Sequence, residues 1–261
     1  MGVKAFSYRR VKNDERDCAD LADLLRLGRL PEAWIAPPPV RALREVTRYR
    51  HKLVGQRTSC KDQVHAVLAK CGIAVTRSDI FGPGGGIWLD GLPLPAPYAG
   101  KVASLRALIG VLDGEIARLG EQAAAMLAGD RGYAAIRRLP GVGPVLGAVI
   151  AAEIGDITRF GTPGQLASWA GLTPRHYESD TKVIRGHVSK QGSRMLRWAV
   201  TEAIQRQPAG TRPQQVKEAI IARRGPDARS IAKTAAARQL LTLVFYALRD
   251  GHVRRATSQA A

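Results

Sequence analysis

The sequence predicts a mainly α-helical protein. A long antiparallel helical coiled-coil hairpin should join a compact helical C-terminal domain that carries a helix-hairpin-helix-like turn. Three observations predict this. Val102, Leu105, Ile109, Leu112, Ile116, Leu119, Ala123 and Met126 alternate steps of three and four without a break, which is the seam of a coiled coil. Aromatic residues make up only 5% of the chain, which disfavours an aromatic-rich β-sandwich and suits Ala/Leu-rich helices. Apolar residues make up 45% of 261, enough to bury a core in one large domain or two ordinary ones.

The elements follow in order. Asn13 can cap a helix whose first turn holds Asp14, Glu15 and Asp17, acids suited to the positive end of a helix dipole. That helix should run to Leu27 and stop at Gly28. Pro31, Pro37, Pro38 and Pro39 break the chain into a connector over 30–39. A long helix follows, with Val40, Leu43, Val46, Leu53, Cys60, Val64, Val67 and Cys71 near a 3.5 period, and it stops at Gly72. The Gly/Pro-rich stretch 82–97 separates it from the helix of the Val102–Met126 seam. Gly84-Gly85-Gly86 lacks the Gly-Lys-Ser/Thr ending of a phosphate-binding loop and reads as a flexible tip. From Gly132 onward the chain reads as one compact helical domain, closed by an amphipathic helix over 230–249. The domain division expected is therefore 1–37, 38–130 and 131–261.

Charge bounds the partner. The chain carries 40 Lys+Arg against 22 Asp+Glu, a formal net charge of +18. So large an excess predicts a polyanion, either nucleic acid or an anionic membrane surface. No apolar run is long enough to span a bilayer, and 1–11 is short, polar and basic rather than a signal peptide. Nucleic acid is the better partner, and no membrane is expected. Cys18, Cys60 and Cys71 are odd in number and form no C-x-x-C, so free thiols in the cytoplasm, beside the nucleoid, are expected.

Three motifs carry candidate chemistry. In Leu139-Pro140-Gly141-Val142-Gly143-Pro144, Gly141 and Gly143 permit positive φ and close approach to a phosphate, and the amides opening the next helix can point at the anion. Such contacts position a DNA backbone without reading sequence; the plainer alternative is a tight interhelical turn. Asp14 and Asp17 are three apart on one helix face and can share a Mg²⁺ if other acids complete the set. On local evidence alone they are acids that stabilise a first turn. Ser179 sits in a polar loop between two expected helices, among Arg175, Lys182, Arg185, Lys190, Arg194 and Arg197. A serine attacking a phosphodiester needs deprotonation and cations for the phosphoryl transition state. The same loop read without that chemistry is a solvated basic segment that binds phosphate.

These residues resemble a known family, the insertion-sequence 110 transposases (also the 116/110/902 family), described as bridge-RNA-guided serine recombinases. Lys12-x-Asp14-x-x-Asp17 resembles the last two acids of the family's Asp-Glu-Asp-Asp metal site in a RuvC-like domain. The segment 38–72, with Arg41-x-x-Arg44 and Arg48-Tyr49-Arg50, resembles the helix that follows that domain. Residues 139–197 resemble the transposase domain, with Gly171-Leu172-x-Pro174 and Ser189-Lys190-x-Gly192 as its specific strings, and 235–248 resembles its closing helix. The resemblance implies strand exchange through a covalent phosphoserine at Ser179, Mg²⁺ at Asp14 and Asp17, a structured guide RNA and a homo-oligomer. Two departures stand out. The family has glycine after the serine, where this chain has Asp180 and Thr181. Only thirteen residues precede Asp14, so the chain reads as N-terminally incomplete, with the family's upstream Asp and Glu missing and little strand transfer expected from it alone. The competing reading is a non-catalytic DNA- or RNA-binding module or a decayed transposase fragment. A helix-hairpin-helix repair protein would explain 139–144 but not 171–197.

Overall fold

The computed structural model describes residues 13–30, 33–179 and 182–253, with the backbone alone over 176–179 and 182–185. Its elements are α1 (Asp14–Arg26), α2 (Pro38–Lys70), α3 (Pro83–Asp90), α4 (Ala96–Met126), α5 (Arg131–Ile136), α6 (Pro144–Ile154), α7 (Pro163–Trp169), β1 (Pro174–Ser179), β2 (Lys182–Val188), α8 (Arg194–Gln205), α9 (Arg212–Arg224) and α10 (Arg229–Asp250). Short 3₁₀ turns precede α7 and α10. The protein is mainly helical, as its sequence predicts. It divides into two compact units, Met1–Pro37 and Pro38–Ala261.

In the first unit α1 begins as its sequence dictates. The Asn13 side chain accepts the Arg16 amide at 2.9 Å, which satisfies one of the donors that a helix start leaves orphaned. Asp14, Glu15 and Asp17 occupy the first turn.

In the second unit α2 and α4 run antiparallel. Leu53 packs with Ile116 and Leu119, while Val64, Val67 and Leu68 pack with Val102 and Leu105. Polar links hold the same register: Arg50 Nε donates to the Ile116 carbonyl at 3.1 Å, and Arg57 pairs with Asp113 at 2.5 Å. The three-four seam of α4 is buried at Val102, Leu105, Ile109, Ile116, Leu119 and Ala123. Its last position, Met126, is instead exposed. The expectation of a flexible glycine tip at Gly84–Gly86 is also overturned, because these residues lie inside α3. A Cβ on Gly85 would stand 2.4 Å from the Ile80 backbone, so this glycine permits tight packing of α3 on the preceding chain.

The C-terminal core is small-residue rich. Ala148, Ile150 and Ala152 of α6, Leu196, Ala199, Val200 and Ala203 of α8, and Ala236, Leu240, Leu241, Val244 and Phe245 of α10 are essentially inaccessible. Alanines at these contacts let helices pack closely. α6 is apolar all round except for Glu153 and lies at the centre, as so apolar a helix must. Among the described residues no helix is long and apolar enough to cross a membrane.

Candidate functional site

The expected loop around Ser179 is a two-stranded antiparallel hairpin. This corrects the reading of a polar loop between helices. Ser179 pairs with Lys182, Glu178 with Val183, Tyr177 with Ile184 and His176 with Arg185, and the register slips between His176 and Pro174, which pairs with Val188. Such a slip marks a bulge. Ser179 therefore stands at the far end of β1, and Lys182 opens β2 opposite it. The side chains of Ser179, Lys182 and Arg185 lie outside the described residues, as do Asp180 and Thr181.

The neck of the hairpin explains the family strings. The Ser189 amide donates to the Thr173 carbonyl at 2.9 Å, and the Lys190 amide to the Gly171 carbonyl at 3.2 Å. Gly171 has φ +72°, and a Cβ there would lie 2.2 Å from the Gln191 carbonyl oxygen. Gly192 has φ +73°, and its Cβ would lie 1.9 Å from the Trp169 carbonyl oxygen. Both positions demand the left-handed backbone and the missing side chain of glycine. Arg197 Nη1 then donates to the carbonyls of Gln191 (2.7 Å), Ala170 (3.1 Å) and Gly192 (3.2 Å). Burial and the neighbouring Arg194 charge lower its pKa. Arg197, expected to contact DNA, has this part of its guanidinium engaged in the neck.

Strand geometry sorts the six cations. Arg175 lies four residues from Ser179, about 13 Å along a strand. Lys190 and Arg194 are exposed beside the neck, where Lys190 holds a rare positive φ of 53°. α8 opens with Arg194 and has no acid in its first turn, so its positive dipole end is reinforced rather than neutralised. His176 is three positions, about 10 Å of strand rise, from Ser179. The cations thus form a neck group and a tip group, with Lys182 paired to the serine.

The 139–144 turn connects α5 to α6. Leu139 and Val142 are buried and pin it to the core. Gly141 has φ +77°, and its Cβ would stand 2.3 Å from the Ala203 carbonyl oxygen of α8. Gln207 Nε2 donates to the Pro140 carbonyl and closes the same contact. The close approach that Gly141 allows is therefore to α8. Gly143 differs: it caps α6 with φ −78° and ψ 179°, is exposed, and has nothing within 4 Å of an added Cβ. Arg137 and Arg138 are exposed beside it.

Sequence reasoning missed Glu153. It is 2% exposed and accepts two hydrogen bonds from the Arg48 fork, Nε at 2.8 Å and Nη2 at 3.0 Å, and one from Ser193 Oγ at 2.7 Å. Burial alone would raise its pKa. The hydrogen bonds from Arg48 and Ser193, with the charges of Arg48 and Arg44, outweigh burial and hold the carboxyl below its ordinary value. Arg44 donates to the carbonyls of Ala152 (2.8 Å) and Glu153 (2.9 Å), and Arg159 to that of Ile154 (3.2 Å), so arginines satisfy the end of α6. The signal was present in the sequence: α6 has a single polar side chain, and it is an acid.

Asp14 is exposed and Asp17 half-buried on α1. Among the described residues no group of three or more His, Cys, Asp or Glu side chains converges. Two carboxylates one helical turn apart furnish part of the near-octahedral oxygen shell that Mg²⁺ requires. The described residues therefore do not make a complete site for the ion.

Comparison with known proteins gives this arrangement its family. Residues 133–218, which span the turn, the hairpin and α8, match the transposase IS116/IS110/IS902 family. Residues 2–73 match a DEDD-type transposase model of IS110 elements. A probable family 20 transposase of Pseudomonas aeruginosa is 29% identical over 72% of this chain and 57% of its own length. A putative transposase, y4qE, of Sinorhizobium fredii is 28% identical over 74% and 47%. The transposase for insertion sequence element IS1111A of Coxiella burnetii is 24% identical over 73% and 52%. The chain belongs to the IS116/IS110/IS902 transposase family. It spans about half the length of the curated relatives it matches.

Proposed function

We propose that the chain binds insertion-sequence DNA and exchanges strands through Ser179. The observation that carries this reading is the clamped hairpin. A family-matched segment spends two glycines and an arginine on fixing a neck, and the hairpin it fixes ends at Ser179. In the proposed step Ser179 Oγ forms a bond to phosphorus and the strand's own P–O bond breaks. The departing oxygen takes up a proton in exchange for the one Oγ releases. Attack by the hydroxyl of another strand reverses the step and reseals the backbone. Lys182, paired with Ser179, is the candidate cation for the phosphoryl oxygens, while Arg175, Lys190 and Arg194 serve the flanking backbone. The turn at 139–144 would hold backbone through Gly143 and Arg137–Arg138 in the manner of a helix-hairpin-helix.

The DEDD-type family normally uses a divalent metal, and Asp14 and Asp17 are the residues of this chain that the resemblance assigns to Mg²⁺. A structured guide RNA, a homo-oligomeric state and the division 1–37, 38–130 and 131–261 belong to the same proposal, and the charge of +18 favours a polyanionic partner. The test is to trap DNA-linked protein on a denaturing gel, in Mg²⁺, with the chain and its Ser179→Ala variant. Wild-type protein by itself should form at most a weak adduct, because two carboxylates hold the ion poorly, and the variant should bind DNA without one. An adduct that persists in Ser179→Ala refutes the nucleophile. No adduct with normal DNA binding returns the chain to a binding module.

A further inference from the structure

Glu153 is the buried carboxylate among the described residues, and the proposed chemistry does not use it. Its partners come from two other helices. Arg48 lies on α2, and Ser193 is the N-cap of α8, whose hydroxyl also accepts the Leu196 amide at 3.0 Å. Ser193 directly follows Gly192, the residue that closes the hairpin neck against Trp169. Four residues on, Arg197 grips the carbonyls on both sides of that neck. A second α2–α8 contact lies alongside, where the His51 and Trp198 rings stand 4.4 Å apart. The Arg48 fork spans both carboxylate oxygens, Nε on Oε1 and Nη2 on Oε2, and Ser193 Oγ donates to the same Oε2, so the carboxylate is held directionally from both helices. If its role were only to fill space, an apolar side chain would do as well.

We propose that Glu153 is a positioning residue for the serine hairpin. Through Ser193 it fixes the point where the chain leaves β2, and through Arg48 it anchors that point to α2. The proposal rests on the reading of Ser179 and its hairpin as the reactive element, but its main test does not.

The test is amide hydrogen exchange at the neck amides of Ser189 and Lys190, with the amides of α10 as internal reference. Ser193→Asp keeps an oxygen that caps α8 but removes the donor and sets a second carboxylate against Glu153. Its neck amides should exchange about tenfold faster or more beyond any change in α10, the size set by one lost charge-assisted hydrogen bond. Ser193→Thr retains both cap and donor and should match wild type. Arg48→Met lies on a different helix from the hairpin, yet should loosen the neck in the same direction. Adduct formation should slow in both loosened variants while DNA affinity holds. A Ser193→Asp neck that exchanges like wild type would overturn the proposal, leaving Ser193 as a helix cap only. Neck amides that accelerate no more than those of α10 would overturn it too, since Glu153 would then brace the whole fold without favouring the neck. Exchange needs no covalent adduct, so an error in assigning the nucleophile appears only in the Ser179→Ala gel.

Discussion

Replacing Gly143 by alanine tests whether the 139–144 turn grips DNA, and the structure makes it a clean perturbation. Gly143 holds φ −78° and ψ 179°, a conformation any residue adopts, and an added Cβ meets nothing within 4 Å. Alanine there narrows the unfolded ensemble by about 0.4–1 kcal/mol but caps α6 less well than glycine by a similar amount, so stability should change little. If a phosphate sits on the amides that open α6, the methyl group intrudes at its approach. Loss of one charge-assisted hydrogen bond is worth about 1.5–3 kcal/mol, so Kd should rise roughly ten- to a hundredfold. The bond lost is to a neutral amide. The slope of log K against log salt should therefore stay as in wild type, because that slope counts phosphates neutralised by charges.

The assay is fluorescence anisotropy with a labelled duplex over a salt series, alongside thermal unfolding. Gly141→Ala is the instructive contrast. Its φ of +77° costs about 1–2 kcal/mol for a side chain, and its Cβ would stand 2.3 Å from the Ala203 carbonyl, a backbone atom that cannot swing away. Gly141→Ala should thus unfold at lower temperature and lose binding for that reason alone. A Gly143→Ala protein that binds with wild-type affinity at every salt concentration would refute the reasoning and leave the turn as a connection between helices.

Three further outcomes are expected. The Glu153 carboxyl titrates below its ordinary value in the folded protein, so its contribution is complete above the unfolded pKa of about 4.3 and is lost as pH falls through the folded value; Glu153→Gln should cost about 1–3 kcal/mol at neutral pH, discounted because Arg48 is half exposed, and denaturant titrations should show the gap closing below about pH 4. Gly192→Ala should destabilise by more than about 2 kcal/mol, from its positive φ and the Trp169 carbonyl 1.9 Å from the new Cβ, with the loss read by urea unfolding. Lys190→Gln and Arg194→Gln should each reduce the salt slope of DNA binding by about one, the signature of a phosphate contact, and an unchanged slope would remove these side chains from the interface.

The helices were legible where local chemistry and burial agree. Asn13 and the acids behind it start α1, and the three-four spacing of α4 reads onto its buried face; Pro38 and Pro39, read as breakers of a connector, instead open α2, where a first helical turn tolerates proline. Met126 departs because it is the last residue of α4, where the spacing continues but the burial does not. The hairpin was illegible for a different reason. Its strands carry charges and glycine among few apolar residues and show no alternation, and what holds them is a neck of backbone contacts that no side-chain pattern records. Gly141 shows the limit most plainly. Its sequence context says that something approaches closely, but only the fold shows that the neighbour is the Ala203 carbonyl.

The same distinction bears on the serine. In sequence Ser179 has six cations within twenty residues, and a loop could fold them all around one phosphate. A hairpin cannot. Its neck lies on the order of 20 Å from its tip at about 3.3 Å per residue, beyond the roughly 8–10 Å over which exposed charges act at ordinary ionic strength. Arg197 is half-buried and tied to the neck carbonyls, and Lys190 and Arg194 stand beside them. On the proposed chemistry these cations can hold the backbone that flanks a reacting phosphate, but they stand too far away to neutralise a phosphoryl group at Ser179. In that proposal the task falls first to Lys182, the residue paired with the serine, with Arg185 about 10 Å further along the strand. Lys182→Gln should therefore slow adduct formation while binding changes little, and Arg194→Gln should weaken binding while the rate from the bound state holds. The opposite pattern would mean that the reacting phosphate sits at the neck and that Ser179 is not the residue it meets.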